Sequence, residues 1–245
     1  MDDKPYLRNV CIQWDKVEDK KAYPFCLTAV KNIESIKFKT PVTFIVGENG
    51  SGKSTVLEAI AAGMGINPEG GNKNTGFSTA RTHSNLYEKI RCIKGCKRPR
   101  NWYFLRAESF YNVATYMDQV GYLDSYGGKS LHQQSHGESF MALLQNKLHG
   151  NGFYLFDEPE AALSPQRQLS ALVHFQRLAQ DSQLIIATHS PILMSYPGAT
   201  IYLIGKDGID CVDYQETEHY QVTKNFLNRT DAMLKTLLDD KRDFP

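Results

Sequence analysis

The run Gly47-Glu48-Asn49-Gly50-Ser51-Gly52-Lys53-Ser54-Thr55 satisfies the pattern G-x-x-x-x-G-K-[ST] at each defined position. The chemistry available to such a run is the grip on a phosphate chain. Its glycines let main-chain amides turn inward without a Cβ in the way, so that N–H groups converge on phosphate oxygens. Lys53 adds a positive charge at the outer phosphates, the Ser54 hydroxyl can ligate Mg²⁺, and a helix start contributes its partial positive charge. A glycine-rich turn ahead of a helix is the plainer reading, and the flanks speak against it. Val42–Val46 reads as a buried strand, while Val56, Leu57, Ile60, Ala61 and Met64 recur at helical spacing, with Gly63 and Gly65 offering a stop. Strand, glycine loop and helix together make a P-loop.

Two further clusters suit the same chemistry. Phe153–Phe156 predicts a buried strand that ends in Asp157-Glu158-Pro159-Glu160. Carboxylates at the tip of a buried strand repel one another and lose hydration unless a cation is close. A metal beside the P-loop would meet that need, with Asp157 holding it and Glu158 orienting or deprotonating an attacking water. Gln183–Ala187 predicts another strand, ending in Thr188-His189-Ser190-Pro191, so His189 emerges at a strand tip where its imidazole could donate to a terminal phosphate. Ser135-His136-Gly137-Glu138 opens an amphipathic helix carried by Phe140, Leu143, Leu144 and Leu148. Ser135 and Glu138 have capping-box spacing, which alone could account for both, and a second anion-binding helix start is the functional alternative.

The elements that must position these groups follow from the remaining pattern. Residues 1–40 read as a β-rich lead-in, with strands expected at Pro24–Val30 and Ser35–Lys39. Trp14, Tyr23 and Phe25 are aromatic candidates for stacking on a base, core packing being the ordinary fate of such residues. Residues 66–80 are rich in turn formers and predict a long loop. Lys89 to Arg100 gathers six cations, which suits a solvated face, nucleic-acid contact being the alternative. Asn101–Arg106 predicts a buried strand, and Glu108 or Ser109 just beyond its end could reach a metal or its waters. Ser164 caps a helix with Pro165 in its first turn and an apolar face of Leu169, Leu172, Val173 and Leu178. Ala199–Ile204 and Ile209–Asp213 predict a hairpin, and Glu216–Asn228 and Asp231–Asp239 two terminal helices.

The 245 residues suffice for one α/β domain with an insertion, and 22% charged residues with a net charge of +1 mark no global field for nucleic acid or membrane. No apolar run reaches the roughly 20 residues that span a bilayer. The N-terminus lacks a signal-peptide pattern, and five scattered cysteines suit a reducing cytoplasm. Cys92 and Cys96 could form half a zinc site, but no second pair at finger-like spacing follows, and ordinary thiols are expected.

The order of these motifs, from about residue 42 to 205, resembles the ABC-type ATPase family. The resemblance implies that Gly47–Thr55 is the Walker A loop, Ser135–Glu138 the signature, Asp157-Glu158 the Walker B pair, Ala161–Ser164 the D-loop and His189 the switch histidine. It further implies ATP and Mg²⁺ as cofactors, the metal on Ser54, Asp157 and, by position, Glu108, and a head-to-tail homodimer in which Ser135 and Gly137 of one chain cap the nucleotide of the other. Transporter ATPases have two consecutive glycines after the signature serine, where this chain has His136, and their glutamine loop has no clear counterpart. Asp157–Pro165 looks instead like the soluble branch that includes SMC, RecF and OLD-type ATPases. Together with Arg106–Phe110 and Ser135–Phe140, it resembles small bacterial stand-alone ATPases of the AAA family.

The expected fold is therefore an α/β P-loop NTPase of ABC-ATPase type: a mostly parallel core sheet with a β-rich N-terminal subdomain and a helical signature subdomain. The nucleotide-binding core is expected at 1–65 and 151–215, an inserted arm and signature region at 66–150, and C-terminal helices at 216–245. The expected function is ATP hydrolysis by a cytoplasmic, ATP-dependent dimer that drives a soluble protein partner, such as one encoded in the same operon, or a nucleic-acid process in repair, maintenance or defence. A transporter's nucleotide-binding subunit and a nucleotide-gated module with little turnover are the alternatives.

Overall fold

A computed structural model describes residues 5–31, 33–71, 84–106, 135–205 and 208–239. Its centre is a six-stranded sheet whose hydrophobic strands alternate strictly between two faces. Introduced in chain order, the strands are β1 (Leu7–Ile12), β2 (Ile36–Lys37), β3 (Val42–Gly47), β4 (Ile90–Lys94), β5 (Asn101–Arg106), β6 (Gly152–Asp157), β7 (Gln183–Ala187), β8 (Thr200–Gly205) and β9 (Gly208–Val212). The large sheet runs β5-β6-β7-β3-β8-β9. All its pairings are parallel except the β8–β9 hairpin. β1, β2 and β4 form a separate antiparallel sheet.

The helices are α1 (Thr28–Lys31), α2 (Lys53–Met64), α3 (Leu86–Lys89), α4 (His136–Ala142, continued by a wider π turn over Leu143–Lys147), α5 (Pro165–Ala179), α6 (Pro191–Met194), α7 (Glu218–Asn228) and α8 (Thr230–Asp239). Ile45, Phe153, Leu155 and Ile185 point to one face, where α2 and the small sheet cover them. Phe44, Tyr154, Phe156 and Ile186 point to the other, under α4 and α5. This period-2 division, with β3, β6 and β7 buried throughout, is what a parallel sheet covered on both sides requires. Both expected layers, the parallel core and the N-terminal β sheet, are present.

The structure corrects the sequence reading in two places. Pro24–Val30 is not a strand: the chain turns through 24–27 and enters α1. Pro24, Phe25, Ala29 and Val30 are its buried residues, two adjacent pairs without the alternation of a pleat. Ala29 N–H donates to Ser51 O at 2.8 Å, so this segment braces the P-loop directly. The second correction concerns α5. Leu169 and Val173 are 52% and 69% exposed, and Leu172 is only partly buried; the face turned to the sheet carries Ala171, Phe175 and Leu178, with Gln168. The second N-terminal strand is shorter than expected, Ile36–Lys37 within 35–39. The 66–80 loop begins by pairing Gly71 with Phe104 on the edge of β5.

Candidate nucleotide site

Register carries the functional groups to one edge. Asp157 pairs across from Arg106 on one side and Ala187 on the other, and Ala187 pairs with Ile45 two residues before the P-loop. The ends of β3, β5, β6 and β7 therefore open at the carboxyl edge of the sheet, where parallel α/β folds place their ligands.

At that edge Gly50 and Gly52 have φ of 76° and 101°, backbone that a side chain resists, and the loop folds over the start of α2. Lys53 is 4% exposed and donates to the carbonyls of Gly47 and Glu48, each at 2.9 Å. Burial lowers its pKa, while Glu158, Asp157 and Glu160 pull the other way. Ser51 Oγ is buried without a hydrogen-bond partner among the described residues. The cleft beside the loop has a volume of about 260 Å³ and includes Thr28, Gly47–Ser51, Leu203, Glu218 and His219 in its wall.

Ser54 Oγ donates to Asp157 Oδ1 at 3.0 Å. Burial pushes Asp157 up to about 7, against the pull of Arg106 and of the Ser54 hydrogen bond. A buried carboxyl that resists charging, a hydroxyl on it and an unspent hydroxyl in the neighbouring loop fit a triphosphate with a hard divalent cation; Ser54 and Asp157 are the residues that would hold Mg²⁺. Glu108, the remaining candidate ligand, lies outside the described residues. Among those residues no trio of His, Cys, Asp or Glu side chains gathers to hold a metal. Cys92 packs against the core with its thiol pushed up to about 11 by burial, and Cys96 is exposed.

Glu158 occupies the left-handed region at φ 51°, ψ 52°, a conformation that costs about 1–2 kcal/mol for a non-glycine residue. Its N–H donates to Ala187 O at 2.9 Å, tying the turn to the next strand. His189 Nε2 stands 3.7 Å from Glu158 Oε1. Burial, then Lys53 and His219, hold the His189 imidazole down at about 4, so at neutral pH this is a neutral ring beside a carboxylate and not an ion pair.

Three participants escaped the sequence reading. Arg106 places Nη2 2.9 Å from Glu58 Oε1 and Nε 3.7 Å from Asp157 Oδ2. Its place at the tip of the strand beside β6 was the available signal. Glu160 accepts from Thr188 Oγ1 at 2.7 Å and from His189 N–H at 2.5 Å, clamping the loop that carries His189. His219, from α7, meets His189 and had no local signal at all.

The signature segment sits elsewhere. Ser135 caps α4 in a full capping box, its N–H donating to Glu138 Oε2 at 2.9 Å while its own Oγ accepts from Glu138 N–H at 3.3 Å. Arg167 donates to Ser135 Oγ at 3.2 Å and lies 3.5 Å from Glu138 Oε1. Ser135, His136 and Glu138 face solvent, whereas Gly137 is packed against Arg167 and the Ala162 carbonyl. Of the aromatic candidates, Phe25 is buried and stacks edge to face on Trp14, whose Nε1 donates to Ile33 O. Tyr23 is exposed, and none of the three lines the P-loop cleft. The stretch from Arg91 to Arg100 turns mostly to solvent along and beyond β4.

Two family models match consecutive parts of the chain: an AAA domain over residues 24–124, and an AAA domain described as putative AbiEii toxin, Type IV TA system, over residues 139–195. Both models are of AAA domains, the first spanning Gly47–Thr55 and the second spanning Asp157, Glu158 and His189. Among solved structures, the chain is similar to the SMC head domain from Thermotoga maritima at 16% identity, over 85% of this chain and 98% of that one, with a TM-score of 0.44. An SMC head bound to the C-winged helix domain of ScpA shows 14% identity over 85% and 98%, with a TM-score of 0.49. A putative metal-chelate type ABC transporter in an inward-facing conformation shows 17% over 78% and 80%, with a TM-score of 0.43. Among the described residues, no helix is long and apolar enough to cross a membrane.

Proposed function

We propose that this chain binds and hydrolyses ATP with Mg²⁺ as a head-to-tail homodimer that drives a soluble partner. The observation that carries the reading is the convergence of Lys53, Ser54, Asp157, Glu158 and His189 at one sheet edge, with Ser54 and Asp157 already in contact. The P-loop amides and Lys53 hold the phosphate chain. Mg²⁺, when bound through Ser54 and Asp157, neutralises phosphate charge. Glu158 orients the attacking water and accepts its proton, and His189 donates from Nε2 toward the terminal phosphate. The tip of α4 supplies solvent-facing Ser135 to the nucleotide of the other protomer, with Gly137 seating the tip from below, which makes dimerisation depend on ATP. The partner is a protein or a nucleic acid engaged in repair, maintenance or defence.

Calorimetry with ATP and Mg²⁺ tests the first step. Lys53→Ala is expected to lose binding by at least about 100-fold, in line with removal of a charge-assisted contact to phosphate. An unchanged affinity overturns the assignment. Phosphate release measured with and without added DNA or RNA separates the two kinds of partner.

A further inference from the structure

Two histidines from distant parts of the chain meet beside the P-loop. His189 Nδ1 lies 3.0 Å from His219 Nε2, with the rings 5.1 Å apart and inclined by 56°. His219 belongs to the first turn of α7, whose N-terminal end is anchored although its later turns are exposed. Its N-cap Thr217 is fully buried, donates to Tyr214 O at 2.8 Å and accepts from Tyr220 N–H, while the Tyr214 and Tyr220 rings pack at 4.7 Å. Glu218 and His219 form part of the wall of the same cleft as the P-loop. The charged and titratable groups acting on the two rings are Lys53 and Glu158 at His189, and Glu218 and Lys53 at His219.

A 3.0 Å contact between two neutral imidazoles holds one proton, and the choice of donor fixes both tautomers. If His189 donates from Nδ1, its bare Nε2 lone pair faces the Glu158 carboxylate at 3.7 Å, and His219 must carry its own proton on Nδ1. That Nδ1 is buried and has no hydrogen-bond partner among the described residues, so an N–H would be orphaned there. If His219 donates from Nε2, His219 Nδ1 is a bare nitrogen and the His189 proton sits on Nε2; that N–H is also buried without a hydrogen bond, but at 3.7 Å it turns a proton rather than a lone pair toward the Glu158 carboxylate. Burial and Lys53 keep both rings below the ordinary histidine range, so the doubly charged alternative is disfavoured.

We infer that His219 is a positioning residue that locks His189 in its Nε2–H tautomer, so that the C-terminal helix α7 completes the hydrolytic site. The inference rests on the reading of His189 as a donor toward the terminal phosphate, and its test has an arm that does not depend on turnover. Long-range ¹H–¹⁵N spectra of the full chain labelled at histidine, with a non-hydrolysable ATP analogue and Mg²⁺, report which His189 nitrogen is protonated. The wild type is expected to show the Nε2–H pattern and His219→Ala a mixture of tautomers. In parallel, His219→Ala is expected to lower kcat about 10- to 100-fold with analogue affinity within about twofold, as for loss of a group that orients a catalytic imidazole. His219→Gln, which returns an amide N–H near the same place, is expected to recover most of the rate. A wild-type His189 protonated at Nδ1, or an unchanged tautomer in His219→Ala, overturns the inference, and the wild-type spectrum decides even if the alanine variant fails to fold. A wild type with the Nε2–H signature and no phosphate release counts against the proposed hydrolysis and leaves the tautomer assignment standing.

Discussion

Burial and positive neighbours set the character of His189, and the consequence can be measured as a proton linkage. Its ordinary value is 6.5 and its folded value about 4. Between those values the unfolded chain holds a proton that the folded chain refuses, so stability contributed by this ring is complete above 6.5 and is lost as pH falls toward 4. Melting curves at a series of pH values are expected to show wild type losing stability faster than His189→Gln across that window, and the two curves running parallel below it. Parallel curves throughout would mean that the ring titrates normally. Glu160 offers the companion test. It accepts from both Thr188 Oγ1 and His189 N–H in a part-buried corner. Glu160→Ala leaves two donors unsatisfied and is expected to cost about 1–3 kcal/mol in denaturant unfolding and to lower kcat more than ATP affinity. Equal losses in both kinetic terms would show that Glu160 supports the nucleotide rather than His189. The glycine loop between β3 and α2 was legible in sequence because one short segment holds its whole pattern. Asp157, Glu158 and His189 were legible because strand ends announce themselves by the loss of apolar residues. Arg106, Glu160 and His219 were not, since each acts on a partner brought close only by strand register or by helix docking.

The same division between local and long-range information holds at the level of elements. β3, β5, β6, β7 and the β8–β9 hairpin lie close to where their hydrophobic runs predict, because a doubly covered strand has to be apolar on both faces. α5 shows where periodicity misleads. Leu169, Leu172 and Val173 fit a helical stripe in sequence, yet the helix is rotated so that Phe175, at 0% exposure, fills the space against Phe156 with ring centroids 5.4 Å apart. Gln168 determines much of that rotation: its Nε2 donates to Leu163 O and its Oε1 accepts from Ser190 Oγ, a buried polar bridge that no hydrophobic count could register. Phe175→Ala is therefore expected to cost about 3–5 kcal/mol in unfolding free energy, and Val173→Ala less than about 0.5 kcal/mol. A Val173→Ala loss above about 1.5 kcal/mol would place Val173 against something in solution that a single chain does not contain.

For the molecule as a whole, the decisive geometry is that each chain carries the glycine loop at one place and a solvent-facing serine-led helix start at another. Gly137 ties that helix start to Ala162 and Arg167. A Cβ there would meet Arg167 Nη1 at 2.3 Å and, less forgivingly, the Ala162 carbonyl at 2.8 Å. The arginine can swing away, but the main chain cannot, so Gly137→Ala must lift the tip of α4 from its seat at a cost of about 1–3 kcal/mol. The P-loop makes none of these contacts. On the proposed reading, in which Glu158 accepts the water's proton, size-exclusion at micromolar protein with ATP and Mg²⁺ is expected to show Glu158→Gln held as a dimer. The double variant Glu158→Gln with Gly137→Ala is expected to elute as a monomer while its calorimetric ATP affinity stays within about twofold. If the double variant stays dimeric, the α4 tip does not close the interface. If Glu158→Gln alone stays monomeric while still binding ATP, the two chains do not share a nucleotide, and hydrolysis has to be completed within one protomer.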